Sequence, residues 1–460
     1  MAKYDANLVV IGAGSGGLVS ALIAAAVKSK VILIERHKMG GDCLNTGCVP
    51  SKALLRSAKV ASYMSRAEEF GLYHVAAKAN LSAIMDRKVK LIQEFTDYRI
   101  ESLRDPRFTL YEEKAQFLSP TELQAGPHTL TSKSFIISTG SIVSRMTIPG
   151  LEETGYITSD DALEMRSLPE SMIVLGGGAV ALEFAQFFSR LGSQVTLLQR
   201  SAHIMSQGDE DLARPVEARF REEGMTVLTS TNIQHVSQTG KLKTIHYLHE
   251  DKEQTVSAEV ILQALGRQPN IHSLKLDSAK VETHHGAITV SHDMRTSTPH
   301  IFAVGDVNGL HEIVHIAIEQ GEIAGWNAAH PEKPPREQDT RLKTQVVFTD
   351  PQIANVGLSE RECQQQGIQY LSASYPFSDH GKSMCLGETH GHVKLLCHPK
   401  SGELLGGHIV GPEASELIHE LTAIMYYHGT VHDMLRIPHY HPTLAEILTY
   451  PAEELASKVQ

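Results

Sequence analysis

The chain has 460 residues, 42% of them hydrophobic, and a formal charge of -11. That length supports several domains with their own cores. The acidic balance excludes a basic field for nucleic acid, and no apolar run approaches the ~18 residues that would span a bilayer.

In chain order, NLVVI at residues 7–11 reads as a buried strand in place of a cleavable leader, so the cytoplasm is the expected compartment. The longer stretch LVVIGAGSGGLVSALIAAAVKSKVILIE runs strand, glycine-rich turn, helix and strand, with Gly12, Gly14 and Gly17 in G-x-G-x-x-G order and Glu35 at the end of the second strand. The glycines allow a tight turn and close approach of a pyrophosphate to the helix N-terminus, and the Glu35 carboxylate suits ribose hydroxyls. Next comes GGDCLNTGCVPSK, residues 40–52, with Cys43 and Cys48 five positions apart. In a reducing compartment such a pair reads as catalytic or metal-binding before it reads as a structural staple. A zinc site needs more ligands, and no second close cysteine pair exists.

The nucleotide pattern returns as MIVLGGGAVALEFAQFFSRLGSQVTLLQR, with Gly176, Gly178 and Ala181 on the same spacing. An offset of 164 residues carries Gly12 to Gly176, Glu35 to Gln199 and Arg36 to Arg200. Two dinucleotides are therefore expected. The second unit lacks the carboxylate that repels a 2'-phosphate, and neutral Gln199 beside Arg200 leans toward NADPH over NADH. His428 and His432 stand at the i, i+4 spacing of a helical metal site, but no carboxylate or Cys completes a set, so no metal is expected. Cys363, Cys385 and Cys397 are scattered and read as unpaired thiols.

Two nucleotide-binding units around a C-x4-C closely resemble the FAD-dependent pyridine nucleotide-disulfide oxidoreductases, the group of dihydrolipoamide dehydrogenase, glutathione reductase and mercuric reductase. FIISTGS at 135–141, ALGRQPN at 264–270, IFAVGDV at 301–307 and HYHPTLAE at 439–446 resemble further motifs of that family, so the resemblance runs over nearly the whole chain. It implies an α/β fold with two Rossmann-like dinucleotide-binding domains and an α+β C-terminal dimerisation domain. The implied boundaries are 1–150 for FAD, 151–270 for NAD(P), 271–340 for a central domain completing the FAD site, and 341–460 for the interface of a homodimer.

The resemblance also implies roles. Gly12, Gly14, Gly17, Glu35, Thr139, Gly140 and Asp306 would hold FAD, Lys52 would lie near the flavin N5 paired with Glu183, and His315 would mark a helix N-terminus at the flavin O2. Gly176, Gly178, Ala181, Glu183, Gln199, Arg200 and Gly266 would serve NAD(P). Cys43 would face the substrate and Cys48 the flavin, with His441 of the other subunit as the base and Glu446 as its partner. A regular helix separates residues five apart by about 7.5 Å, more than the roughly 7 Å a disulfide tolerates, so the segment must bend at Gly47 and Pro50 to close Cys43 on Cys48. Cys43 is expected at a helix start, where N–H groups favour thiolate.

The chain departs from the family at Asp42, where lipoamide dehydrogenases and glutathione reductases typically carry Thr. Asp42 reads either as an N-cap or as a charge that raises the Cys43 pKa and weakens its attack. The expected activity is dithiol/disulfide exchange of the dihydrolipoamide dehydrogenase type on a small-molecule or lipoyl substrate. The alternatives are an NADPH-dependent mercuric reductase-like or other metal, quinone or small-disulfide reductase, and a redox-sensing flavoprotein without turnover. The GGDC form resembles a branch grouped with mercuric reductases, while the ending PAEELASKVQ lacks the vicinal cysteines usual for mercury handling.

Overall fold

A computed structural model describes residues 4–73, 78–97 and 106–460 in full, and 98–103 as helical backbone. The chain divides into two compact units: Met1–Ala53 with Asp86–Ser144 and Gly266–Asp339, and Leu54–Met85 with Arg145–Leu265 and Thr340–Gln460.

The first unit is built on a parallel sheet. Strand β1 (Ala6–Ile11) pairs with β2 (Val31–Ile34), and β2 with β3 (Phe108–Tyr111). On its other side β1 pairs with the C-terminal half of the strand His128–Ile137, which in turn pairs with Ile301–Ala303. Every residue of β2 and all but one of β1 are buried, which is why both read as continuous apolar runs. Helix α1 (Ser15–Ala26) is rich in Gly, Ala and Ser because it meets the helix Val314–Ala329 at backbone distance. A Cβ on Gly321 would lie 2.4 Å from the Gly16 carbonyl oxygen, and the Ser20 hydroxyl donates to the Gly321 carbonyl at 2.9 Å. Larger side chains there would push the two helices apart. The His315 end of the second helix is thus fixed against the first glycine-rich turn.

In the second unit, four parallel strands run in the order Thr226–Leu228, Gln194–Leu198, Ser171–Leu175 and Val260–Gln263. A separate five-stranded antiparallel sheet is covered by the helices Ala414–Tyr426 and Thr449–Ala456. The same unit carries a chain of half-buried charges. Asp350 accepts from Lys59 and Arg190 at 2.7 Å each, while Lys59 also meets Glu388 and Arg190 meets Glu223. Burial pushes the Asp350 carboxyl up, but Arg190 and Lys59 outweigh it and hold it at about 2.

An Asp350→Asn substitution is expected to destabilise the protein by roughly 2–3 kcal/mol, because it leaves two largely desolvated cations short of a partner. The folded-state pKa is depressed, so this stabilisation is complete above the unfolded value near 4 and fades as pH falls toward 2. Denaturation midpoints measured from pH 6 to pH 2.5 should therefore show wild type and variant converging at the acid end.

Candidate functional site

Both glycine-rich turns have the shape their spacing requires. Gly12 sits at φ +102°, and a Cβ there would fall 2.2 Å from the Ser138 carbonyl oxygen, so no other residue fits. Gly17 packs on the turn itself, where a Cβ would lie 2.0 Å from the Gly12 oxygen. Gly14, the residue before α1, is open on its outer face: the nearest atom to an added Cβ is 3.9 Å away. Glu35 closes the far side. One of its oxygens accepts from the Ala13 N–H at 2.8 Å and the other from the Arg36 and His37 N–H groups. An open helix start with no side-chain cap, facing a fixed carboxylate, fits the pyrophosphate and ribose of a dinucleotide.

The second turn is alike but for the acid. Gly176 is at φ +114° against the Ala264 carbonyl, Ala181 is fully buried, and Gly178 precedes the helix Ala179–Leu191 with nothing within 4 Å of an added Cβ. Gln199 lies over Gly177, the position that matches Ala13, and a Cβ on Gly177 would approach its side-chain carbon to 2.9 Å. Its amide donates weakly to the His203 carbonyl at 3.4 Å, and Arg200 beside it is exposed. Glu183 is buried in the same helix and accepts from the Phe348 N–H at 3.0 Å.

The cysteine segment bends as its spacing demands. Helix α2 (Gly41–Asn45) holds Cys43 and stops, and α3 (Cys48–Ser65) starts at Cys48. At the break, a Cβ on Gly47 would sit 3.0 Å from the Asp42 oxygen and 3.3 Å from the Cys43 Cα, so the chain doubles back on itself there. Cys43 is half-buried and Cys48 exposed. Pro50 lies inside the first turn of α3, so the break falls before it, at Thr46 and Gly47. The helix-start expectation shifts as well. Cys43 lies in a five-residue helix with little dipole, whereas Cys48 heads an 18-residue one.

Asp42 does not cap α2. The residue in that place is Gly40, and the Asp42 carboxylate instead takes an ion pair from Arg267 at 2.5 Å. Arg267 belongs to the strand Arg267–Pro269, which pairs with Ser141–Val143 and so joins the ALGRQPN and FIISTGS segments. The Thr139 hydroxyl donates to the Asn270 carbonyl at 2.8 Å, and the Asn270 N–H to the Gly140 carbonyl at 2.9 Å. Ser141 donates to Asp306 at 2.6 Å, in the turn after Ile301–Ala303. Arg267 and Ser141 lie within motifs whose glycines and threonine stood out in the sequence, and only pairing across the two strands reveals them.

These residues, with Lys52, Gly266 and His315, all belong to the first unit, and Lys52 donates to Ser51 at 3.3 Å. His441 and Glu446 belong to the second. His441 Nδ1 meets a Glu446 oxygen at 2.8 Å, and the other oxygen accepts from the Thr443 N–H at 2.8 Å. The Thr443 N–H, and then His441, hold the Glu446 carboxyl below its usual range. His428 pairs with Glu403 at 2.7 Å, and among the described residues no group of three or more His, Cys, Asp or Glu could hold a metal ion. No described helix is long and apolar enough to cross a membrane.

Residues 6–321 match the family described as pyridine nucleotide-disulphide oxidoreductase, and residues 344–452 match its dimerisation domain. The chain belongs to the pyridine nucleotide-disulphide oxidoreductases. It is 32% identical to a mercuric reductase of Staphylococcus aureus over 93% of this chain and 78% of that protein. It is also 32% identical to a dihydrolipoyl dehydrogenase of Chlamydia trachomatis over 90% and 89%. The fold matches the solved HOCl-induced flavoprotein disulfide reductase RclA of Escherichia coli with a TM-score of 0.85 at 23% identity, covering 99% of this chain and 100% of that one. This family member is an oxidoreductase that uses FAD and NAD(P)H, and its dimerisation domain supports a homodimer.

Proposed function

We propose that this oxidoreductase exchanges electrons between NAD(P)H and a small or lipoyl-type disulfide through Cys43 and Cys48, in the manner of a dihydrolipoamide dehydrogenase. The observation that supports the reading is the oriented His441–Glu446 pair, which leaves Nε2 of an 82% exposed imidazole to act on a thiol of the other subunit. Bound FAD supplies the two-electron link between nicotinamide and sulfur. Gly12, Gly14, Gly17, Glu35, Thr139, Gly140 and Asp306 would hold it, with Lys52 and the helix start at His315 contributing positive charge in the same unit.

The chain's own steps then balance. The Cys43 thiolate attacks one sulfur of the substrate disulfide, that S–S bond breaks, and the departing thiolate takes a proton from His441 of the other subunit. The Cys48 thiolate next attacks the Cys43 sulfur, the second substrate thiolate leaves, and the Cys43–Cys48 disulfide forms. Oxidation of a dithiol runs the same steps in reverse, with His441 accepting the proton. Glu446 keeps Nδ1 protonated, so Nε2 is the exchanging atom.

Anaerobic turnover with NADH and NADPH against lipoamide, glutathione disulfide and Hg(II) tests the reading. Turnover of lipoamide well above the others supports it. Turnover of Hg(II) alone replaces it with the metal-reductase reading that similarity to mercuric reductases also offers.

For the nicotinamide site we propose that Gly176, Gly178, Ala181, Gln199 and Arg200 favour NADPH at least as much as NADH. Gln199→Glu should swing the kcat/KM ratio toward NADH by roughly 10-fold, about the worth of one charge-assisted hydrogen bond. Arg200→Ala should weaken NADPH selectively. A strong native NADH preference that neither change alters would show that residues beyond Arg200 set the choice.

A further inference from the structure

Asp42 adjoins Cys43 in sequence, and an unbalanced carboxylate beside a thiol disfavours the thiolate that attacks disulfides. Here the carboxylate is balanced by a cation whose position does not depend on it. Arg267 donates from Nε to the Ser141 hydroxyl at 2.7 Å and from Nη2 to the Ser141 carbonyl at 3.0 Å. Ser141 is 5% exposed, and its hydroxyl is itself directed onto Asp306. Nη2, which bonds the Ser141 carbonyl, also donates to the Asp42 carboxylate, so Ser141 fixes the nitrogen that meets Asp42.

We propose that Arg267 is a positioning residue for the disulfide chemistry: anchored by Ser141, it clamps Asp42 and cancels the charge beside Cys43, and it ties the Cys43 helix to the Asp306 turn. The assignment rests on Cys43 and Cys48 being the redox couple. Two further acids lie along the same line. Asp306 receives Ser141, and the Glu312 carboxyl is raised first by burial and then by Asp306, with Arg267 acting against both. Lys52, one turn into α3 from Cys48, is the other cation of this segment. Arg267 therefore pairs with Asp42, reaches Asp306 through Ser141 and acts on Glu312, so its loss removes the counter-charge of Asp42 beside Cys43.

The test is the pH profile of Cys43 alkylation by iodoacetamide in FAD-loaded protein carrying Cys48→Ser, with modification at Cys43 followed by peptide mass. Adding Arg267→Gln should move the profile up by about 0.5–1 pH unit, so that alkylation near pH 7 slows by roughly 3- to 10-fold. Adding Asp42→Asn instead should move it down, because the guanidinium stays in place. The double change should fall between the two, and Arg267→Lys should recover part of the shift. All shifts should shrink at about 1 M salt, since Asp42 is 60% exposed.

A purely structural tie would make Arg267→Gln and Asp42→Asn move the profile the same way, and that result overturns the proposal. So does a profile indifferent to both. If Arg267→Gln fails to fold, a downward shift in the surface variant Asp42→Asn supports the charge balance and an unchanged or upward one refutes it. Because alkylation reads the thiol without turnover, a failed redox assignment shows separately, as wild-type protein whose cysteines stay unchanged when NADPH reduces the flavin.

Discussion

His441→Gln is expected to lower thiol-disulfide turnover by about 100-fold or more, while reduction of the flavin by NAD(P)H stays near the wild-type rate. The two halves of the reaction use different parts of the chain. His441 and Glu446 lie on the loop and short helix that follow Ile437, in the dimerisation domain, and nothing in either glycine-rich turn depends on them. Glu446 already uses its second oxygen on Thr443, so it can orient the imidazole without moving. Gln keeps the size of the side chain and can still hydrogen-bond, but it cannot carry a proton. Mixed dimers sharpen the measurement. A heterodimer of Cys43→Ser and His441→Gln chains retains one site with both groups when the base comes from the other subunit, and its activity should approach half that of wild type. A well-folded heterodimer with no activity would place the base in the same subunit as its cysteine.

Cys48→Ser is expected to abolish both turnover and the long-wavelength absorption that two-electron reduction of the wild-type protein should produce. Cys48 heads an 18-residue helix, whose open N–H groups favour a thiolate there, and a thiolate against an oxidised flavin absorbs at long wavelength. Cys43→Ser should lose turnover yet keep the band, because the thiolate proposed to face the flavin is that of Cys48 and not of Cys43. Reduced wild-type protein that shows only bleached flavin would mean that Cys48 does not face the ring.

The two nucleotide turns could be read directly from residue order because their geometry is local. Gly12 and Gly176 take positive φ angles that the strand-to-helix turn imposes, and both glycines abut the carbonyl of a neighbouring strand that ends at the same level. The 164-residue repeat likewise placed Gln199 opposite Glu35, and Gln199 does lie over the residue that corresponds to Ala13. His441 and Glu446, five apart around Pro442, form their hydrogen bond within one short segment.

Asp42 shows where local reading stops. By residue type it is a good helix cap, and no nearby residue argues otherwise. Its partner is 225 positions away and reaches it only because the strand Arg267–Pro269 pairs with Ser141–Val143. The paired charges Lys59, Arg190, Glu223, Asp350 and Glu388 are spread over more than 300 residues and share no spacing a sequence could reveal. Sequence alone determined the family, the shape of the two glycine-rich turns and the His441–Glu446 pairing, since each is a short pattern whose geometry is set by its spacing. Tertiary structure decided that Cys48, not Cys43, heads a long helix and which cation answers Asp42, because both depend on strand pairing and chain reversal that bring distant side chains to bonding distance.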